Sequence, residues 1–117
     1  MLFRSELWKN LSTTDNSYPA TAGFTNTPAS SSSSPSDFEM PQNSGDGYGE
    51  RLRALVLPPV TGAYTFWVAS DEWSDLFLSS SESPDDKVRI AFVSGATLYR
   101  QWDAEANQRS EIGRAHV

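Results

Sequence analysis

The densest group of side chains able to do chemistry is Ser70-Asp71-Glu72-Trp73-Ser74-Asp75, which places three carboxylates within five residues around a tryptophan. Such a loop suits a hard cation, since Ca²⁺ takes about six to eight oxygens from carboxylates, carbonyls and water. A hairpin loop whose acids only face solvent has the same composition, so both readings stay open on spacing alone. Trp73 can stack its indole on a pyranose face with its N–H left for a hydroxyl. Packing is the rival role for Trp73, and more so for Trp67, which sits inside an alternating run.

Other combinations carry less. Glycoside hydrolysis needs two carboxyl groups held roughly 5 to 9.5 Å apart across a cleft. Neighbouring Asp71 and Glu72 do not suggest that arrangement, because adjacent side chains of an extended segment point apart. Asp85-Asp86 precedes Lys87 in a turn and is expected to cap or solvate it. Arg100 is expected to pair with Asp103 or to stack on an aromatic ring, with Trp102 in a structural role. Gly45-Asp46-Gly47-Tyr48-Gly49 has the glycines of a phosphate cradle but follows no predicted strand, opens no helix and carries a negative charge. Asn10-Leu11-Ser12 fits a glycosylation sequon, a pattern that arises often by chance. No enzyme activity is expected.

Composition narrows the chemistry further. The 117 residues contain no cysteine and one histidine, His116, so thiol nucleophiles, disulfides, Cys/His zinc sites and Ser-His-Asp machinery are not expected. Both ends look foreign to a natural protein. Ile112-Gly113-Arg114-Ala115-His116-Val117 is one reading frame of a common sequencing adapter, and Met1-Leu2-Phe3-Arg4-Ser5 matches its reverse complement. Residues 1–5 and 112–117 are therefore expected to be scars without a coherent role, flanking a segment 6–111 that lacks its own C-terminal end. The whole chain has a net charge of −6; removing Arg4 and Arg114 leaves seven basic against fifteen acidic residues, or −8. That balance disfavours nucleic acid and anionic membrane surfaces as partners. No apolar run approaches the ~20 residues of a membrane helix, so direct membrane insertion is not expected.

The elements that must position the acidic loop are short strands. Residues 12–47 are rich in Ser, Thr, Asn, Pro and Gly, with polyserine at Ser30 to Ser34, and show neither helical nor strand period. A flexible linker is one reading. We read the stretch instead as an irregular wrap with a short strand at Asp37 to Met40, because Trp8, Tyr18, Phe24 and Phe38 recur too often for a solvated linker. Residues 51–93 carry the core strands. Arg51 to Leu57 is expected to set Leu52, Ala54 and Val56 on one face, ending at Pro58-Pro59, which lack ladder donors. Ala63 to Ala69 follows the Thr61-Gly62 turn, and Leu76 to Leu78 is a third strand. Lys87 to Val93 alternates with Val88, Ile90 and Phe92 inward and Lys87 and Arg89 outward. Regular spacing of such strands predicts an all-β, antiparallel sandwich or barrel.

The run Leu57-Pro58-Pro59-Val60-Thr61-Gly62-Ala63-Tyr64-Thr65-Phe66-Trp67-Val68-Ala69-Ser70-Asp71-Glu72 resembles the signature of the protective-antigen-like (PA-fourteen) domain. Asp46 to Arg51 before it, and Leu76 to Ser79 with Asp85 to Val88 after it, are similar to the family's bacterial multidomain form, and Leu7-Trp8 to its opening strand. The resemblance covers most of residues 37–110. It implies a β-sandwich or barrel module of secreted or cell-surface bacterial proteins that recognises glycan or polysaccharide beside covalently linked neighbouring domains. In the family's sugar-binding adhesins an adjacent Asp-Asp pair, joined by a cis peptide, holds a calcium ion that grips sugar hydroxyls. The matching positions are Asp71 and Glu72, the latter longer by one methylene. The resemblance thus implies Asp71 and Glu72 as metal ligands, calcium as cofactor, and Trp73, Asp71 and Asp75 as carbohydrate contacts. The alternative function is a structural spacer or protein-interaction sandwich without a ligand site.

Overall fold

A computed structural model describes residues 3–9, 11, 24–41, 47–110 and 113–115. Tyr18, the outer residues of the Asn10-Leu11-Ser12 sequon and Gly45-Asp46 fall outside them. Among the described residues there is no α-helix. The elements are strands β1 (Phe3–Trp8), β2 (Ser31–Ser33), β3 (Gly49–Ala54), β4 (Gly62–Tyr64), β5 (Ser74–Ser79), β6 (Lys87–Val93) and β7 (Gly113–Ala115), with 3₁₀ turns at Phe24–Asn26, Pro84–Asp86 and Ala106–Gln108. Every strand pair is antiparallel. The expected all-β class with antiparallel strand pairing is observed.

The chain forms two units, divided between Val56 and Leu57. In the first, β1 is the central strand of the order β2-β1-β3. Trp8 is its buried apolar residue, 3% exposed, and its indole N–H donates to the Thr27 carbonyl at 2.8 Å. The sheet is stitched by backbone, as expected of a strand such as β2 whose side chains are all exposed serines. Four expectations change here. Polyserine forms a strand because β1 offers a free edge, and the Asp37 to Met40 segment is bent rather than paired. Phe38 instead stacks on Phe3 with ring centroids 5.7 Å apart. β3 also stops at Ala54, which pairs with Phe3, and Val56 is 47% exposed instead of continuing a buried face. Phe3, Arg4 and Ser5, expected to have no role, occupy the first three positions of the β1–β3 ladder.

In the second unit β4 pairs with β7 and β5 with β6. β4 is much shorter than Ala63 to Ala69. Beyond Tyr64 the chain stays extended but bonds to the irregular segment 97–110 through single contacts, including an isolated bridge between Trp67 and Arg109. β6 has the expected limits, yet its pattern reverses within the strand. Leu76 faces Ala91 while Phe77 faces Arg89, so Ile90 is the extra residue of a β-bulge. One inserted residue moves every later side chain to the opposite face. Ala91 and Val93 are consequently the buried residues, at 2% and 0% exposure, whereas Val88 is 64% exposed and Phe92 joins Arg89 on the other face.

Candidate functional site

The acidic loop leaves the Ser70 position and enters β5 at Ser74. Its foot is fixed by two bonds to one residue: Thr97 N–H donates to the Ser70 carbonyl at 2.7 Å, and Ser70 N–H donates to Thr97 Oγ1 at 3.0 Å. The Ser70 hydroxyl lies 2.7 Å from the Glu72 carbonyl oxygen and 2.6 Å from the Ser74 hydroxyl, closing the loop on itself. Glu72 adopts φ 74°, a left-handed conformation that L residues seldom take. There is no cis peptide bond among the described residues, so the expected cis Asp71-Glu72 bond is not observed.

The three acids of the loop part company. Asp71 and Glu72 are exposed and Trp73 is half-buried. Asp75 lies inside β5 with its carboxylate 1% exposed, and Oδ1 accepts from Arg89 Nη1 at 3.3 Å. Its Oδ2 is buried without a hydrogen-bond partner. Arg89 also covers the Phe92 ring, 4.3 Å from its centroid. Asp75 thus serves the β5–β6 hairpin, away from Asp71 and Glu72. Among the described residues no three Asp, Glu, His or Cys side chains gather closely enough to hold a metal ion. Asp71 and Glu72 by themselves supply too few oxygens for the coordination that calcium takes.

Two features that spacing did not reveal lie in the irregular segment. Glu105 accepts from Ser94 N–H at 2.9 Å, the Ser94 hydroxyl at 3.0 Å and Gly95 N–H at 3.0 Å. These donors hold its carboxyl below the usual carboxylate range. A Cβ at Gly95 would stand 3.0 Å from Glu105 Oε2, so the carboxylate would have to shift to admit a larger residue there. Gln108 is completely buried, and its side-chain amide and backbone find partners on three separate stretches of chain. Neither was singled out from the sequence, although Glu105 and Gln108 have the i, i+3 spacing of a capping box, because most of their partners are backbone groups.

A pair of exposed tryptophans lies outside the acidic loop. Trp67 and Trp102 are 48% and 46% exposed and line, with Thr65 and Phe66, an open groove of about 510 Å³. Trp102, for which a structural role was expected, stands 46% exposed. β4 has ended before Trp67, and no strand covers that face among the described residues. Arg100, at φ 52°, stacks on Tyr99 with its guanidinium 5.0 Å from the ring centroid, one of the two expected alternatives.

Over 93 residues the chain is 34% identical to fibrocystin of Mus musculus, an alignment that spans 78% of this chain and 2% of fibrocystin. Fibrocystin of Canis lupus familiaris is 31% identical over 91 residues, covering 76% and 2%. Mouse fibrocystin-L is 29% identical over 66 residues, covering 56% and 2%. The chain is similar to a small part of these relatives, spanning about 2% of their length. No family model matches the chain, and no solved structure gives a significant match.

Proposed function

We propose that this chain is a non-catalytic carbohydrate-binding module of the protective-antigen-like type, part of a larger protein exposed outside the cell. The observation that carries the reading is the loop at 70–74. It combines a foot locked by Ser70 and Thr97 with exposed Asp71 and Glu72 and a neighbouring indole, which is a preformed display of acceptors and an aromatic face. Sequence similarity to fibrocystin across most of the chain supports a module of a long chain with covalent neighbours. The reported relatives are mammalian, so a bacterial source forms no part of this reading.

The roles of the other acids support a non-catalytic module. Glu6 is bonded to Arg51 and Arg53, and Asp75 to Arg89, which leaves these carboxylates to the sheets. The test is retention of the purified chain on insoluble polysaccharides, with and without chelator. Retention supports glycan binding, and its loss on chelation adds calcium at Asp71 and Glu72. No retention on any polysaccharide in either condition favours the second reading, a structural spacer. That alternative draws on the 2% coverage, by which the chain is similar to only a small part of much longer relatives.

A further inference from the structure

The exposed tryptophans Trp67 and Trp102 come from segments far apart in sequence, and one buried side chain ties those segments together. Gln108 Nε2 donates to the Val68 carbonyl at 2.9 Å and to the Gln101 carbonyl at 2.6 Å. Val68 directly follows Trp67, and Gln101 directly precedes Trp102. The amide oxygen of Gln108 accepts from Glu105 N–H at 2.7 Å, so the whole side-chain amide is satisfied. Its backbone adds a bond from Val68 N–H to the Gln108 carbonyl at 3.0 Å. On the other side of Trp67, Phe66 and Ser110 exchange two bonds: Phe66 N–H donates to Ser110 Oγ at 2.9 Å, and Ser110 N–H to the Phe66 carbonyl at 2.8 Å.

The backbone of Trp67 is therefore clamped before and after the residue, and that of Trp102 on its preceding side. The clamps are buried: Gln108 is 0% and Ser110 4% exposed. The indoles they position are not, each standing nearly half in solvent. These bonds hold the two segments together, and they also order the backbone beneath two exposed rings before any ligand arrives, which favours binding. Two half-exposed indoles lining one groove over a buried support offer a ligand a pre-ordered aromatic contact.

The groove also states what it can hold. Its lining residues Thr65, Phe66, Trp67 and Trp102 are all uncharged, in a chain whose net charge is −6. The four lining side chains themselves offer a ligand charge no partner, and the nearby cation is Arg109, which bridges to Trp67. An indole has an apolar face and one N–H donor, and Thr65 adds a hydroxyl. This combination matches a ring with C–H faces and equatorial hydroxyls. The open shape suits a chain lying along the surface rather than an enclosed small molecule.

From this geometry we propose that Trp67 and Trp102 form a metal-independent stacking platform for consecutive rings of a neutral oligosaccharide, with Gln108 as its positioning residue. The inference rests on the glycan-binding reading but moves contact away from the Asp71-Glu72 loop. Such a platform binds without calcium and without dependence on salt, because no ion is released when uncharged groups meet.

The test is calorimetric titration of neutral gluco-, manno- and galacto-configured hexasaccharides into the full chain, with an oligouronate as the charged probe. At least one neutral hexasaccharide is expected to bind, with the same affinity in chelator and between 0.05 and 0.5 M salt. Trp67→Ala and Trp102→Ala should each weaken it at least tenfold, while Glu82→Ala, an exposed residue between β5 and β6, leaves it within twofold. Far-UV circular dichroism of each variant secures the comparison, and Trp102→Phe, which keeps a ring, should recover part of the loss. Gln108→Asn, a shorter amide, should make the effects of the two tryptophans additive where they were coupled, a change that uniform destabilisation would not produce. Unchanged binding by both folded tryptophan variants together with loss in Asp71→Ala would overturn the platform and leave glycan binding standing at the acidic loop. Failure of every neutral sugar with binding of the oligouronate would overturn it as well. If no sugar of either kind binds, the platform and the glycan-binding reading fall together.

Discussion

Two buried carboxylates, one in each unit of the molecule, are supported very differently. Glu6 in β1 is 7% exposed and receives Arg51 Nε on Oε1 at 3.0 Å and Arg51 Nη2 on Oε2 at 3.2 Å, with Arg53 Nη2 3.1 Å from Oε1. Both oxygens are used, and the Arg51 hydrogen bonds, offset in part by desolvation and helped by the charges of Arg51, Arg53 and Arg4, hold the carboxyl below its ordinary range. Asp75 in β5 is buried as deeply but meets one arginine through one oxygen, while the other has no partner. A buried charge that is fully hydrogen-bonded strengthens its sheet, whereas one that is half-satisfied contributes little net stability. Arg51 further packs over the Trp8 ring at 5.4 Å, so the first network joins charge to the only buried tryptophan among the described residues.

The sharpest way to break this contrast is to neutralise each acid in turn. Glu6→Gln should cost on the order of 2 kcal/mol, less than a wholly buried pair because both guanidinium groups reach solvent. Asp75→Asn should cost about 1 kcal/mol or less, since the Oδ2 position gains nothing in the native protein to lose. Urea unfolding of the two variants measures both. Equal losses would show that the orphan oxygen of Asp75 is satisfied in solution and would erase the distinction.

Acid titration gives the next largest effect. The Glu6 carboxyl has a folded value below its ordinary 4.5, so the folded state releases its proton more readily than the unfolded chain does. Its stabilisation is complete above the ordinary value and is lost as pH falls through the lowered one. The melting temperature should therefore hold on the near-neutral side and decline below about pH 4.5, with a shallower decline in Glu6→Gln. Glu105 contributes in the same direction, through Ser94 and Gly95 rather than arginines. A decline that is equally steep in Glu6→Gln would assign the acid sensitivity to other groups.

The smallest effect is local. Gly95→Ala would bring a methyl group to 3.0 Å from Glu105 Oε2 and should loosen the 94–105 connection by roughly 0.5–1 kcal/mol without altering the β1 network. Hydrogen exchange at Ser94 and Gly95 would then quicken while that of the β1–β3 ladder stays as it was. Faster exchange in both would mean that the two units respond together.

Strand class was legible in the sequence, and strand environment was not. Lys87 to Val93 could be read to the residue because alternation and flanking turn formers act locally. Its inward face was misread because Ile90 bulges, a choice dictated by the partner strand rather than by β6 itself. Polyserine carries no strand propensity, yet β2 forms because the free edge of β1 supplies backbone partners. The acidic loop was found from composition alone, but the fate of Asp75 depended on Arg89, fourteen residues away in sequence. Trp67 and Trp102 were set aside because tryptophan is usually covered. What leaves them in the open is the early end of β4 and the tether from Gln108, most of whose partners are backbone groups.

The serines of β2 have one more consequence. Ser31, Ser32 and Ser33 lie against Leu7, Glu6 and Ser5, and serines continue on both sides to Ser30 and Ser34. A register is normally remembered by side chains that differ from one place to the next. Here a shift along the strand puts a serine where a serine was, and only a few local contacts, such as Ser33 Oγ at 2.6 Å from Ser5 Oγ and Ser30 Oγ accepting from Lys9 N–H at 3.0 Å, distinguish the alignments. β2 is thus a ruler with nearly uniform divisions, whose alignment on β1 rests on those few contacts rather than on a pattern of unlike side chains.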